Sequence, residues 1–156
     1  MEITIQIVVM ILLLGIAVID AKTMEIPDGL NGALGAAALL SAWLMPEISL
    51  MDRSIGALCV SVPMYLLCIL IPNAFGGGDV KLVFVMGFFL GWRLVLTGSV
   101  LAILLGGLQA CYLIIHGNVK AGESAYMAFG PALCAGMILA MIWGEELITW
   151  YFGWFY

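Results

Sequence analysis

Apolar residues run in long uncharged stretches along nearly the whole chain, separated by short polar interruptions. The stretches cover 3–19, 30–45, 54–72, 82–92, 94–115 and 124–144. About 20 apolar residues (roughly 17–25) cross a hydrocarbon core as a helix. The pattern therefore predicts an all-α, polytopic integral membrane protein with about six transmembrane helices. Pro63 lies inside the third stretch and predicts a kink there. The fourth stretch is short; it extends either back through Asp79 or past Arg93, with the arginine snorkelling to the surface.

If the spans alternate, 20–29, 73–81 and 116–123 fall on one side of the membrane. The N-terminus, 46–53, the turn at Arg93 and the C-terminal tail fall on the other. Three lysines (Lys22, Lys81, Lys120) stand against two arginines (Arg53, Arg93), so the positive-inside rule leans toward a cytoplasmic first set. The aromatic tail over 147–156, with Trp150, Tyr151, Phe152, Trp154, Phe155 and Tyr156, reads as an interfacial helix end. Glycines such as Gly87, Gly91, Gly106 and Gly107 read as sites of close helix packing.

Composition sharpens the picture. Of 156 residues, 65% are hydrophobic and 10% charged, whereas a soluble domain carries about 25% charged residues. No basic cluster accompanies the net charge of −5, which argues against nucleic-acid partners. The four cysteines (Cys59, Cys68, Cys111, Cys134) lie singly in apolar runs without a CxxC pair, and His116 is the one histidine. No metal site and no cofactor are expected. The first run follows Glu2 in place of a basic region and lacks a small-x-small cleavage site, so it reads as a retained span. A single transmembrane domain over 1–156 is expected, its outer faces in contact with the lipid bilayer; the pattern specifies no oligomeric state.

The acids carry the chemistry. Glu2, Glu47, Asp52, Glu123, Glu145 and Glu146 fall in water-facing turns, leaving Asp20, Glu25, Asp28 and Asp79. Asp28 follows Pro27 and opens the second span, so it reads as a helix N-cap. Asp79 opens the fourth helix after a glycine run, where the helix dipole favours an anion. Asp20 ends the first span, where the dipole disfavours one, and local structure gives it no role. Two spans separate Asp20 from Asp79, so the chain returns to the same membrane face and the two carboxylates can meet. Two carboxyls within hydrogen-bonding reach cannot easily both ionise and hold one proton between them. Such a pair acts as base and acid together, activating water and protonating a leaving amine.

The segment Phe75-Gly76-Gly77-Gly78-Asp79-Val80-Lys81-Leu82 resembles the GxGD motif of membrane aspartic proteases, in the form typical of type IV prepilin peptidases. The stretch from Ile19-Asp20 to Ile26-Pro27-Asp28 resembles that family's first aspartate motif, and Phe129-Gly130-Pro131-Ala132-Leu133 its F-G-P-x-L segment. The resemblance covers nearly the whole chain. It implies that Asp20 and Asp79 are catalytic, that Gly76 and Gly78 are the motif glycines flanking Gly77, and that Pro27, Asp28 and Pro131 shape or line the site. Lys81 falls about 200° round a helix from Asp79 and is expected to point away from it as a membrane anchor. The implied partner is a prepilin or pseudopilin with a basic leader and an apolar helix, cut after a glycine at the cytoplasmic boundary of a bacterial or archaeal membrane.

Larger members of that family carry an N-terminal cysteine-rich region associated with N-methylation. Nothing here corresponds to it, so the expectation is cleavage without methylation, as in the short members serving tight-adherence (Flp-type) pili. Archaeal preflagellin peptidases are an alternative branch. A presenilin-like protease shares GxGD, and Pro131-Ala132-Leu133 spells its PAL motif, but that group has nine spans and a tyrosine where Ile19 stands. A proton- or cation-coupled transporter would use the two aspartates as ion ligands, and a non-catalytic assembly factor would keep the fold alone.

Overall fold

The computed structural model describes residues 2–71, 75–116 and 128–154. Seven helices lie among them: α1 (Glu2–Thr23), α2 (Asp28–Leu44), α3 (Leu50–Cys59), α4 (Ser61–Leu70), α5 (Gly77–Leu90), α6 (Trp92–Ile115) and α7 (Gly130–Gly153). The described residues form no strand. Ile3–Thr23, Leu50–Leu70, Trp92–Ile115 and Gly130–Gly153 are long and apolar enough to cross a membrane. With the shorter α2 and α5 they make a polytopic, all-helical membrane protein of about six spans.

The boundaries differ from the sequence reading where local chemistry intervenes. The interruption expected at Pro63 falls at Val60, where α3 gives way to α4. The proline ring crowds the carbonyl four residues before it and supplies no N–H to it, so the chain relaxes ahead of the proline. Beside the break the Ser61 hydroxyl donates to the Ala57 carbonyl. The fourth span reaches back through Asp79 to Gly77 and stops at Leu90. Gly91 separates it from α6 with φ +80, a left-handed conformation that glycine adopts without Cβ strain. The last span runs to Gly153, later than expected. Pro72, Lys120, Glu123, 124–127, Phe155 and Tyr156 lie outside the described residues.

Helix α5 occupies the centre, packed against α2, α3, α4, α6 and α7, while α1 packs on α2 and α7. The core joins Val9, Leu13 and Ile16 of α1 to Leu34, Leu82, Met86, Phe89, Leu133 and Met137. The close crossing of α3 and α5 rests on two glycines. A Cβ on Gly87 would fall 2.9 Å from the Ala57 Cα, and one on Gly56 would run into the Gly87 carbonyl. With 14 residues, α5 is about 21 Å long, shorter than the ~30 Å hydrocarbon core. The glycine segment before it packs against protein, Gly78 lying close on Ile26, which suits irregular backbone near a membrane.

The end of the bundle away from Asp20 is held by Arg53, which is 0% exposed. Its guanidinium donates to Ser41 Oγ at 2.9 Å and to the carbonyls of Met45 (3.0 Å), Phe88 (3.0 Å), Phe89 (3.2 Å) and Ser41 (3.2 Å). Nε donates to the Ile48 carbonyl at 3.3 Å. These oxygens cluster at the C-terminal ends of α2 and α5, where the last helical carbonyls lack partners and the dipole favours a cation.

Candidate active site

Each aspartate is placed by a helix end. Asp20 sits in the last turn of α1, and the chain leaves that helix through Met24, whose φ of 55 is left-handed and whose N–H donates to the Asp20 carbonyl at 2.8 Å. The Thr23 hydroxyl donates to the Ile19 carbonyl and accepts from the Glu25 N–H, closing the turn into Pro27. Pro27, at φ −63 and ψ 128, is the N-cap of α2. Asp28 is therefore the first residue inside α2 and not its cap; its negative charge still suits the helix start.

Asp79 is the third residue of α5. Its Oδ2 accepts from the Gly76 N–H at 3.2 Å, and its own N–H donates to the Gly76 carbonyl at 3.1 Å. This is the carboxylate half of a capping box, with the Gly76 backbone standing where a serine side chain would act. Asp79 Oδ1 is buried and has no hydrogen-bond partner.

The structure brings the two aspartates to one end of the bundle. Asp20 is 4% and Asp79 8% exposed, and they lie within electrostatic reach of each other. They are not hydrogen-bonded together. Asp20 Oδ2 instead accepts from the Gly130 N–H at the start of α7, at 3.0 Å. Phe75 and Phe129, flanking the second and third motifs, pack with ring centroids 5.8 Å apart. All three motifs thus meet around the carboxylates.

A cleft of about 590 Å³ opens beside Asp79, lined by Ile19, Thr23, Glu25, Pro27, Asp28, Lys81 and the three glycines among others. Asp79 lines it, whereas Asp20 stands behind, against Gly130. A Cβ on Gly78 would meet the Ile26 Cβ at 2.8 Å, one on Gly76 would lie 3.2 Å from Asp79 Oδ2, and one on Gly77 meets nothing within 4 Å. The Asn31 amide donates to the Gly78 carbonyl at 3.3 Å and fixes the glycine turn against α2. Lys81 is not a free anchor: its ammonium lies 2.6 Å from Asp28 Oδ1 in an exposed ion pair, and it lines the same cleft as Asp79. Pro131 shapes the first turn of α7 without touching either carboxylate through a hydrogen bond.

Two neighbours escaped the sequence reading. Gly130 supplies the N–H that holds Asp20, and a side chain there would overlap the carboxyl. Cys134, one turn further along α7, is fully buried and within electrostatic reach of both aspartates. Only the membership of Gly130 in the F-G-P segment hinted at the first, and nothing in the sequence at the second. Among the described residues no group of three His, Cys, Asp or Glu side chains could hold a metal ion.

Comparison with known proteins gives a consistent picture. Residues 7–111 match the family model described as the type IV leader peptidase family. A Bacillus subtilis (strain 168) protein named prepilin leader peptidase/N-methyltransferase is 30% identical over 144 residues, covering 90% of this chain and 56% of that protein. Proteins of the same name from Pectobacterium carotovorum subsp. carotovorum and Aeromonas hydrophila are 36% and 30% identical, over 83% and 89% of this chain and 48% and 49% of theirs. The chain spans about half the length of these curated relatives. No solved structure matches.

Proposed function

Because the chain belongs to the type IV leader peptidase family, we propose that it is a membrane aspartic endopeptidase that removes leaders from type IV prepilins or pseudopilins, with Asp20 and Asp79 as its catalytic pair. The observation that carries this reading is the convergence of two buried carboxylates, each held by a glycine N–H, beside a cleft that Asp79 lines.

The pair works with one proton between its members. A water in the cleft is activated by the ionised carboxylate, which takes its proton as the water oxygen bonds to the scissile carbonyl carbon. The protonated carboxyl donates to the carbonyl oxygen as it gains charge. The tetrahedral intermediate then breaks its C–N bond, and a carboxyl proton passes to the leaving amine. The bonds to Gly130 and Gly76 orient the two carboxylates, and the buried Oδ1 of Asp79, which has no protein partner, keeps its lone pairs for the reacting groups.

Asp20, Glu25, Asp28 and Asp79 give this end an acidic character that attracts a basic leader. It faces the cytoplasm of a bacterial or archaeal cytoplasmic membrane. The substrate reading extends to tight-adherence (Flp-type) prepilins, with archaeal preflagellins as the alternative. A transporter would use the same buried carboxylates, so the test must read both activities. Protein reconstituted in liposomes is mixed with full-length prepilin and followed by gel mobility, while an entrapped dye follows proton flux. The expected result is a shortened pilin with no flux above that of empty liposomes. Flux without any change in pilin size contradicts the proposal.

A further inference from the structure

A second concavity lies along α5. It is a groove of about 640 Å³ between α2, the α3–α4 break and α5. Leu58, Val62 and Tyr65 form one wall, Phe84 and Val85 the floor, and Gly32 the facing edge. Asp28 and Lys81 line both this groove and the catalytic cleft, so the two run together at the Asp28–Lys81 ion pair.

We propose that this groove seats the apolar helix of the substrate, which crosses the Asp28–Lys81 pair to enter the cleft as an opened strand. The inference rests on the peptidase reading and adds where the membrane part of the substrate lies. Three observations favour a peptide helix over a lipid chain. The groove shares Asp28 and Lys81 with the cleft that Asp79 lines. Its mouth carries an exposed ion pair able to accept and donate hydrogen bonds, which an acyl chain does not use and an unwinding helix needs, because freed amides are costly in lipid. Its wall includes Asn31, 5% exposed, whose Oδ1 is buried without a partner while its amide holds the Gly78 carbonyl. A donor arriving with the substrate would complete Asn31 and bear on the glycine turn at once.

Gly32 makes the groove testable. Its backbone is not left-handed, and a Cβ there meets nothing within 4 Å. The Cβ of Gly32→Phe therefore meets none of the protein's own atoms, and its ring adds bulk at the groove that Gly32 lines. Gly107 on α6 is equally open and serves as the control. Two substrates are compared in liposomes: full-length prepilin, and a soluble peptide that spans the cut and ends before the apolar helix. Gly32→Phe is expected to raise KM for full-length prepilin roughly tenfold or more while leaving the peptide unchanged. Gly107→Phe is expected to leave both unchanged. Equal slowing of both substrates by Gly32→Phe, or wild-type handling of the full-length one, overturns the assignment.

A second measurement does not depend on catalysis. A photoreactive side chain is placed at Val62 in the groove, or at exposed Val100 on α6, in the Asp20→Asn/Asp79→Asn background. An adduct with the prepilin helix from position 62 and not from 100 is expected. Adducts with lipid alone at position 62 overturn the proposal. If the wild type cleaves neither substrate yet the adduct at 62 forms, the peptidase reading falls and the groove assignment stands.

Discussion

A methyl group at Gly130 would run into the Asp20 carboxyl, and one at Gly78 would press on Ile26, whereas one at Gly77 would meet open space. Alanine at the three positions should therefore separate them. Gly130→Ala and Gly78→Ala are expected to lower processing by roughly tenfold or more, and Gly77→Ala to stay within about twofold, at equal membrane abundance. Loss of activity in Gly77→Ala would show that the turn tolerates less than its open edge suggests. Asp20 was legible in the sequence because an acid at a helix C-terminus has no local reason to be there, and Asp79 because its glycine run and the span count set it on the same face as Asp20. The roles of Gly130 and Cys134 were not: the F-G-P segment marked the first without saying what it does, and a cysteine in apolar helix carries no signal until the fold brings it near Asp20. Asp28 was misplaced by one position: a proline ahead of an aspartate admits either as the cap, and the extended backbone of Pro27 decides it.

Helices were found where apolar runs predicted them, with ends moved by backbone chemistry. The break ahead of Pro63 and the glycine stop at Gly91 are local effects, and the latter needed the φ of +80 to be seen. Arg53 was read as the end of a polar connection because a lone arginine beside an apolar run looks like any surface cation. Only the convergence of the α2 and α5 carbonyls reveals it as a buried clamp. Its burial also removes one of the two arginines that opposed the lysines in the charge count for orientation. Arg53→Met is expected to destabilise the protein by about 2–4 kcal/mol, since several helix-end carbonyls lose their donor together. Thermal unfolding in detergent should show this as a lower midpoint, with Arg53→Lys falling between. An unchanged midpoint in Arg53→Met would mean water replaces the guanidinium at little cost.

Topology joins what the sequence separates. An even number of crossings returns Asp79 to the face where Asp20 ends α1, and the F-G-P segment closes on Asp20 and on Phe75 from the start of α7. That parity argument needed only span counting, so the meeting of the carboxylates was readable in outline. The groove along α5 was not, because its walls come from three separate stretches of chain and its lining is as apolar as any lipid-facing surface. The central claim is that Asp20 and Asp79 act as one unit on a peptide bond. Prepilin processing by Asp20→Asn, Asp79→Asn and the double variant, each at matched abundance in liposomes, tests it directly. Each single change should lower the rate by about 10³-fold or more, and the double variant should be no slower than the worse single one. Wild-type processing by either single variant, or losses that multiply in the double one, would contradict a shared catalytic pair.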